Sequence, residues 1–202
     1  MTDLKLFFDF SSPFAYLAST QVEALARRNG VVLRYRPFLL GALFKAVGTP
    51  DVPLFAMPEP KRRHAGLDMM RWADHYGVPL RFPSRFPMNT VKPLRMTLAL
   101  AEEARGPFVD AVYRAYWAED RDISADAELA AIASSVGLDG AAMVAATRED
   151  AAKAQLKAAT DEAVRLGVFG APTFAVNDLL FWGQDRLVFV EKALQGWRPK
   201  GE

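Results

Sequence analysis

Strand-forming stretches occur only at the two ends of this chain, with helical periodicity between them, and that layout limits the folds open to it. Leu4 to Phe10 is a short, strongly apolar run holding Phe7 and Phe8, and reads as a buried strand. Ala15, Ala18, Val22 and Leu25 then recur at three- and four-residue spacing, drawing one helical face. Asn29-Gly30 ends that helix, because both residues tolerate the left-handed conformation at a C-terminus. Val31 to Phe38 alternates Val32, Arg34, Arg36 with Leu33, Tyr35, so a second strand follows and a right-handed βαβ unit is expected. At the far end Thr173 to Val176 and Leu179 to Trp182 are β-prone, and Asn177-Asp178 between them is a hairpin turn signal. Asp185 then opens a last helix with Leu187, Val190, Leu194 and Trp197 on one face.

From about Phe44 to Leu166 no strand is convincing. Gly48 to Pro60, with Pro50, Pro53, Pro58 and Pro60, is expected to be loop, as is Val78 to Pro87. Helices are expected over Lys61 to about Tyr76, Val91 to Ala104, Phe108 to Ala118, Asp126 to Val136 and Gly140 to Ala146. A final one carries Ala152, Leu156, Ala159, Ala163 and Leu166 on one small-residue face. The expected fold class is α/β: one small sheet whose two halves are separated by an all-helical block.

Composition removes several functions. Of 202 residues 51% are hydrophobic, which is incompatible with disorder and allows a substantial core. Lys and Arg number 25 against 24 Asp and Glu, so no broad positive field steers the chain to nucleic acid. Zero cysteines exclude disulfides, thiol catalysis and thiolate metal sites, and two histidines, His64 and His75, leave little for a metal centre. The opening Met1-Thr2-Asp3-Leu4-Lys5 lacks the basic segment and long apolar run of a secretion signal, and no stretch is long enough to cross a bilayer; a cytoplasmic protein is expected.

Four places could carry chemistry. In Phe8-Asp9-Phe10-Ser11-Ser12-Pro13-Phe14, proline suits the first helical position, which makes Ser12 the N-cap. Its hydroxyl then sits at the positive end of a helix dipole, where it either simply caps or stabilises an anion such as a thiolate. In Gly170-Ala171-Pro172-Thr173 the proline is a candidate cis bond, which would turn the N–H and C=O of Ala171 outward toward a peptide-like ligand; a trans proline opening an edge strand is the plainer alternative. In Trp182-Gly183-Gln184-Asp185, Gln184 or Asp185 can cap the last helix, and Asp185 can equally accept a ligand ammonium. Lys45, isolated among Leu43, Phe44, Ala46 and Val47, either reaches a substrate carboxylate or snorkels to water, whereas Arg62 and Arg63 read as a solvated face.

Taken together, Phe8 to Leu17, Arg71-Trp72-Ala73, Phe169 to Thr173 and Trp182 to Leu187 resemble, in order and over nearly the whole chain, the 2-hydroxychromene-2-carboxylate isomerases. These stand with the kappa-class glutathione transferases in the DsbA-like branch of the thioredoxin fold. The resemblance implies a thioredoxin-like domain from residues 1–40 and 168–202, a helical insertion domain over 41–167, and a ligand cleft between them. It implies glutathione as cofactor, a small aromatic carboxylate as substrate, and a homodimer. Ser12, standing where a thioredoxin relative has its reactive cysteine, matches the catalytic serine at the glutathione sulfur. Ala171, before Pro172, matches the residue whose backbone pairs with the cysteinyl part; Trp182, Gly183, Gln184 and Asp185 match the segment at the γ-glutamyl end. Lys45 matches a substrate-contacting lysine and Lys61 a lysine facing the ligand. Two departures stand out: residues 41 to 60 lack the asparagine that relatives carry before the Lys61 position, and Phe86 replaces a substrate-contacting tyrosine. The implied activity is glutathione-dependent isomerisation; conjugation of electrophiles, or glutathione or peptide binding by a non-catalytic scaffold, are the alternatives.

Overall fold

The computed structural model describes residues 3–201. Strand β1 (Asp3–Phe8), helix α1 (Pro13–Arg28) and strand β2 (Val32–Pro37) form the expected βαβ unit, with β1 and β2 parallel. The chain returns to the sheet as β3 (Thr173–Val176) and β4 (Leu179–Trp182), giving the order β2-β1-β3-β4 with β3 antiparallel to both neighbours. Asn177 takes the positive φ of 55° that the hairpin needs. Ala15, Ala18, Val22 and Leu25 are all buried, so the helical face read from their spacing is the one packed on the sheet.

Between β2 and β3 run α2 (Leu40–Val47), α3 (Pro53–Ala56), α4 (Glu59–Tyr76), α5 (Val91–Ala99), α6 (Glu102–Trp117), α7 (Asp126–Ser135), α8 (Gly140–Ala146) and α9 (Asp150–Arg165). The main core is continuous across both parts: Leu4, Phe8 and Val22 pack in one cluster with Phe108, Val112, Trp117, Leu129 and Leu156. None of the helices is long and apolar enough to cross a membrane, among the described residues.

Several boundaries differ from the sequence expectation. Helix α5 stops at Ala99, and α6 runs straight through Pro107 instead of starting after it. Leu100 and Ala101 are extended (ψ 146° and 150°), and Glu102 and Glu103 open α6, where acidic residues suit the positive helix end. Pro107 therefore lies near the start of the helix and deprives it of only one early hydrogen bond. The proline-rich segment is not all loop, since Pro53 and Pro60 occupy first-turn positions of α3 and α4, where proline is tolerated. The stretch around Lys45 is itself helical, as α2. Leu166 lies beyond α9 and is exposed, so Leu156, Thr160 and Ala163 are the residues α9 buries. The last segment is a short 3-10 turn, Gln184–Arg186, leading into α10 (Leu187–Leu194); Trp197 falls outside α10 and stacks on Phe189.

One feature of the core sets the site. The turn between β1 and α1 is held from below by α6: Tyr113 Oη donates to Asp9 O at 3.1 Å and Trp117 Nε1 donates to Phe10 O at 2.8 Å. Phe8, Phe10 and Tyr113 pack edge-on or tilted around it, with ring centroids 4.9 to 5.9 Å apart. Asp9 and Phe10 lie past the end of β1 yet are buried.

Candidate active site

Ser12 is the N-cap of α1, with Pro13 at the first helical position. Its Oγ accepts the Ala15 N–H at 3.2 Å, and its carbonyl accepts the Tyr16 N–H at 3.1 Å. Pro13 has no N–H, so Phe14 N–H is the first-turn donor with no protein acceptor among the described residues. The Ser12 hydroxyl donates to Ala171 O at 2.9 Å.

Beside it Asp9 is 1% exposed and serves as a clamp. Oδ1 accepts from Ser11 N at 2.9 Å and Ser11 Oγ at 3.1 Å, while Oδ2 accepts from Leu40 N at 2.8 Å, the first residue of α2. Burial pushes the Asp9 carboxyl above the ordinary carboxylate range, against the pull of those hydrogen bonds.

The Ala171-Pro172 peptide bond is cis. The carbonyl of Ala171 accepts from the Ser12 hydroxyl, and Ala171 lines both clefts described below. Gly170 lets Trp182 close over this turn: a Cβ there would stand 2.6 Å from Trp182 Nε1. Phe169 packs on the same indole, with ring centroids 5.1 Å apart.

Two clefts meet here. The first, of about 230 Å³, is almost wholly apolar, walled by Leu40 and Phe44 from α2, Ala65 and Met69 from α4, Phe86 and Trp182. Ser11 and Ser12 lie in its wall, and Asp51 is its one charged residue. The second, of about 250 Å³, is the more polar of the two, with Asp68, Gln184, Asp185 and Arg186 in its lining. Phe14, Ala171 and Trp182 line both.

The structure thus brings Ser12, Ala171, Trp182 and Phe86 to the apolar cleft, and Ala171, Pro172, Trp182, Gly183, Gln184 and Asp185 to the polar one. It does not bring Lys45 or Lys61 to either lining; both are exposed, on α2 and in the first turns of α4. Lys45 follows Phe44, whose side chain takes the inward position, and Lys61 stands one turn outward from Ala65 on the same helical face. Neither Gln184 nor Asp185 caps the last helix by its side chain; Gly183 precedes the 3-10 turn with φ 112°, and Asp185 Oδ2 instead pairs with Arg186 Nη1 at 2.6 Å. Gln184 is buried, and its carbonyl accepts from Tyr76 Oη at 3.3 Å.

Sequence reasoning missed Asp9, Ser11, Asp51 and Asp68. A carboxylate between two phenylalanines, Phe8-Asp9-Phe10, was a readable sign of a buried polar anchor. Nothing local marked Asp68, which α4 carries across to the far end of the chain.

A four-stranded mixed sheet with a cis-proline turn facing the first helix start, and a helical block between its halves, defines a thioredoxin-like protein of the DsbA type. The DsbA-like thioredoxin domain matches residues 3–195. A 2-hydroxychromene-2-carboxylate isomerase of Sphingobium xenophagum is 37% identical over 191 residues, spanning 95% of this chain and 97% of its own. A solved structure of 2-hydroxychromene-2-carboxylate isomerase superposes with a TM-score of 0.83 at 29% identity, covering 96% of this chain and 94% of its own. Glutathione S-transferase kappa 1 of Caenorhabditis elegans is 26% identical over 212 residues, spanning 97% of this chain and 92% of its own. The chain belongs to the DsbA-like thioredoxin family, in the group of the 2-hydroxychromene-2-carboxylate isomerases.

Proposed function

We propose that this protein is a glutathione-dependent isomerase that converts 2-hydroxychromene-2-carboxylate to trans-o-hydroxybenzylidenepyruvate. The observation that carries the reading is the junction of the two clefts at Phe14, Ala171 and Trp182, with Ser12 in the wall of the apolar one. A ligand with a zwitterionic end in the polar cleft and a thiol a few bonds further on would present its sulfur at the foot of the apolar one. The family relatives named for this isomerisation support the choice of reaction.

The residues present fit glutathione. The polar cleft offers carboxylates and a guanidinium for an amino-acid terminus, and beside it the Ser12 hydroxyl, in the wall of the apolar cleft, and the Phe14 N–H are available to sulfur. When bound, glutathione supplies a thiolate that adds reversibly to the conjugated substrate, so that a carbon–carbon bond can turn before the thiolate leaves. Ser12 holds that sulfur: its O–H turns from Ala171 O to the thiolate, at the positive end of α1. Lowering a thiol pKa from about 8.5 to about 6.5 corresponds to roughly 2.7 kcal/mol of differential stabilisation. The backbone of Ala171, beside that sulfur, pairs with the cysteinyl portion. Phe44, Met69 and Phe86 enclose the aromatic ring and exclude water. With no cation lining that cleft, the substrate carboxylate points out of its mouth toward solvent.

A second reading, conjugation of glutathione to electrophiles, is favoured by the lack of a cation in the apolar cleft and by the kappa-class relative. The test is calorimetric titration of the wild type and Ser12→Ala with glutathione, followed by absorbance assay of the chromene acid and product analysis with an uncharged electrophile. Turnover of the chromene acid that requires both glutathione and Ser12 is expected. Wild-type protein that ignores glutathione overturns the proposal, and conjugate formation without isomerisation selects the second reading.

A further inference from the structure

We infer that Asp51 sets the charge preference of the apolar cleft, so that uncharged rings enter more readily than ring carboxylates; the assignment rests on the reading above of that cleft as the place where a sulfur meets its electrophile. Of the residues that line it, Ser12, Phe44 and Met69 are buried, whereas Asp51, Pro87 and Trp182 are exposed. The first three therefore mark its floor and the other three its open side. Asp51 is the one charge in an otherwise neutral lining, and it stands where the cleft meets water.

Nothing in the protein offsets that charge. Among the described residues the Asp51 carboxylate makes no ion pair within 4 Å and accepts no hydrogen bond. Lys45 and Lys61, the lysines nearest to it in the sequence, lie outside the lining. Residues 50 to 57 exchange no hydrogen bond with the rest of the chain among the described residues, and packing such as the edge-on contact of Phe55 with Phe86, at 5.9 Å, holds the segment.

An aromatic substrate buries its ring against Phe44 and Met69 and keeps a carboxylate at the open side, because an unpaired carboxylate is costly on an apolar floor. There it meets the like charge of Asp51. Two like charges about 6 Å apart at a protein surface weaken binding by about three- to tenfold. An uncharged substituent in the same place loses nothing. Since Ser12 lies on the floor and Asp51 on the open side, the penalty falls on binding and not on the step at sulfur, so it raises KM and spares kcat.

The test follows the full chain with saturating glutathione on three compounds: the chromene acid, 4-chloro-3,5-dinitrobenzoate and the methyl ester of that benzoate. With the last two the thiolate adds to the ring carbon and chloride leaves with the bonding pair, and the two differ in charge at one substituent. Asp51→Asn is expected to lower KM for the benzoate and the chromene acid by about three- to tenfold, with kcat and the KM of the ester unmoved. Asp51→Glu keeps the charge and should return KM for the benzoate to near the wild-type value. Raising salt from about 0.01 M to about 1 M shortens the screening length from about 30 Å to about 3 Å and should close most of the gap between wild type and Asp51→Asn. Both variants should melt within a few degrees of the wild type, because Asp51 is exposed and unpaired. A benzoate KM unchanged in Asp51→Asn, or an equal fall for the ester, overturns the assignment. Wild type that conjugates the ester and leaves the chromene acid untouched overturns the isomerase reading alone, and the benzoate pair then decides the assignment. Wild type that turns over none of the three overturns both.

Discussion

The Ser12 hydroxyl donates to the Ala171 carbonyl at 2.9 Å, joining the start of α1 to the cis-proline turn 159 residues later in the chain. One oxygen is therefore both a helix cap and the tie between the two ends of the sheet. Ser12→Ala removes both contacts and leaves the Ala15 N–H without its cap. A loss of about 1–2 kcal/mol in unfolding free energy is expected by urea denaturation. The rate effect should be larger: about 100-fold in kcat, from losing a donor aimed at developing charge on sulfur. Ser12→Ala with unchanged turnover and lowered stability would leave Ser12 a cap and nothing more.

Gly170→Ala tests the packing that places Trp182 between the clefts. The new methyl would meet Trp182 Nε1 at 2.6 Å, and the half-exposed indole is free to swing outward. Moving it opens both clefts at their junction. Stability should fall by about 1 kcal/mol or less, since the indole can move without leaving a sealed cavity. Glutathione affinity should fall about tenfold, and the tryptophan emission maximum should shift on ligand addition less than in the wild type. An unchanged titration would show that the position of Trp182 does not matter to the ligand.

How far the residues announced this arrangement depends on how local each determinant is. The Ser12 cap followed from Ser-Pro before a periodic apolar run, and the late hairpin from Asn177-Asp178, because those conformations are decided within a few residues. The boundary between α5 and α6 was not legible in that way. Proline suggested a break at Pro107, whereas the chain breaks at Leu100 and Ala101 and starts afresh at Glu102, whose Oε1 accepts from Arg36 Nη1 at 2.8 Å across to β2. The site divides similarly. Ser12, Ala171 and Trp182 sit in recognisable turns, but Asp68 and Asp51 reach the clefts only through the placement of the α3–α4 segment. Lys45 stands out by its isolation among apolar residues and by the resemblance, Lys61 by the resemblance, and both are exposed and outside the two cleft linings.

Asp9 makes a sharp prediction about architecture. Its carboxylate satisfies Ser11 N and Leu40 N, the backbone donors of two residues that line the apolar cleft. Asp9→Ala strands both in a buried site and should cost about 2–4 kcal/mol in unfolding free energy. Asp9→Asn keeps one acceptor oxygen and should cost less, about 1–2 kcal/mol, while loosening either Ser11 or the start of α2. Hydrogen exchange distinguishes the two, since the amide that loses its acceptor exchanges faster. Equal protection of both amides in Asp9→Asn would show that the clamp does not hold the turn.

Asp110, on α6, links stability to pH. Desolvation, and then the like charge of Glu23 on α1, push its carboxyl up to about 7 from a model-compound value of 3.8. Arg27 and Arg114 line the same surface cleft. Because the folded state holds this proton more tightly than the unfolded chain does, the group's favourable contribution is complete below about pH 4 and is lost as pH rises to about 7. Asp110 is exposed, so solvent screening limits the effect to at most about 1 kcal/mol. Asp110→Asn should therefore gain stability over wild type at pH 8 and show little gain at pH 4. Denaturation midpoints measured at those two pH values check it, and a difference of the opposite sign would mean that the carboxyl titrates below its unfolded value.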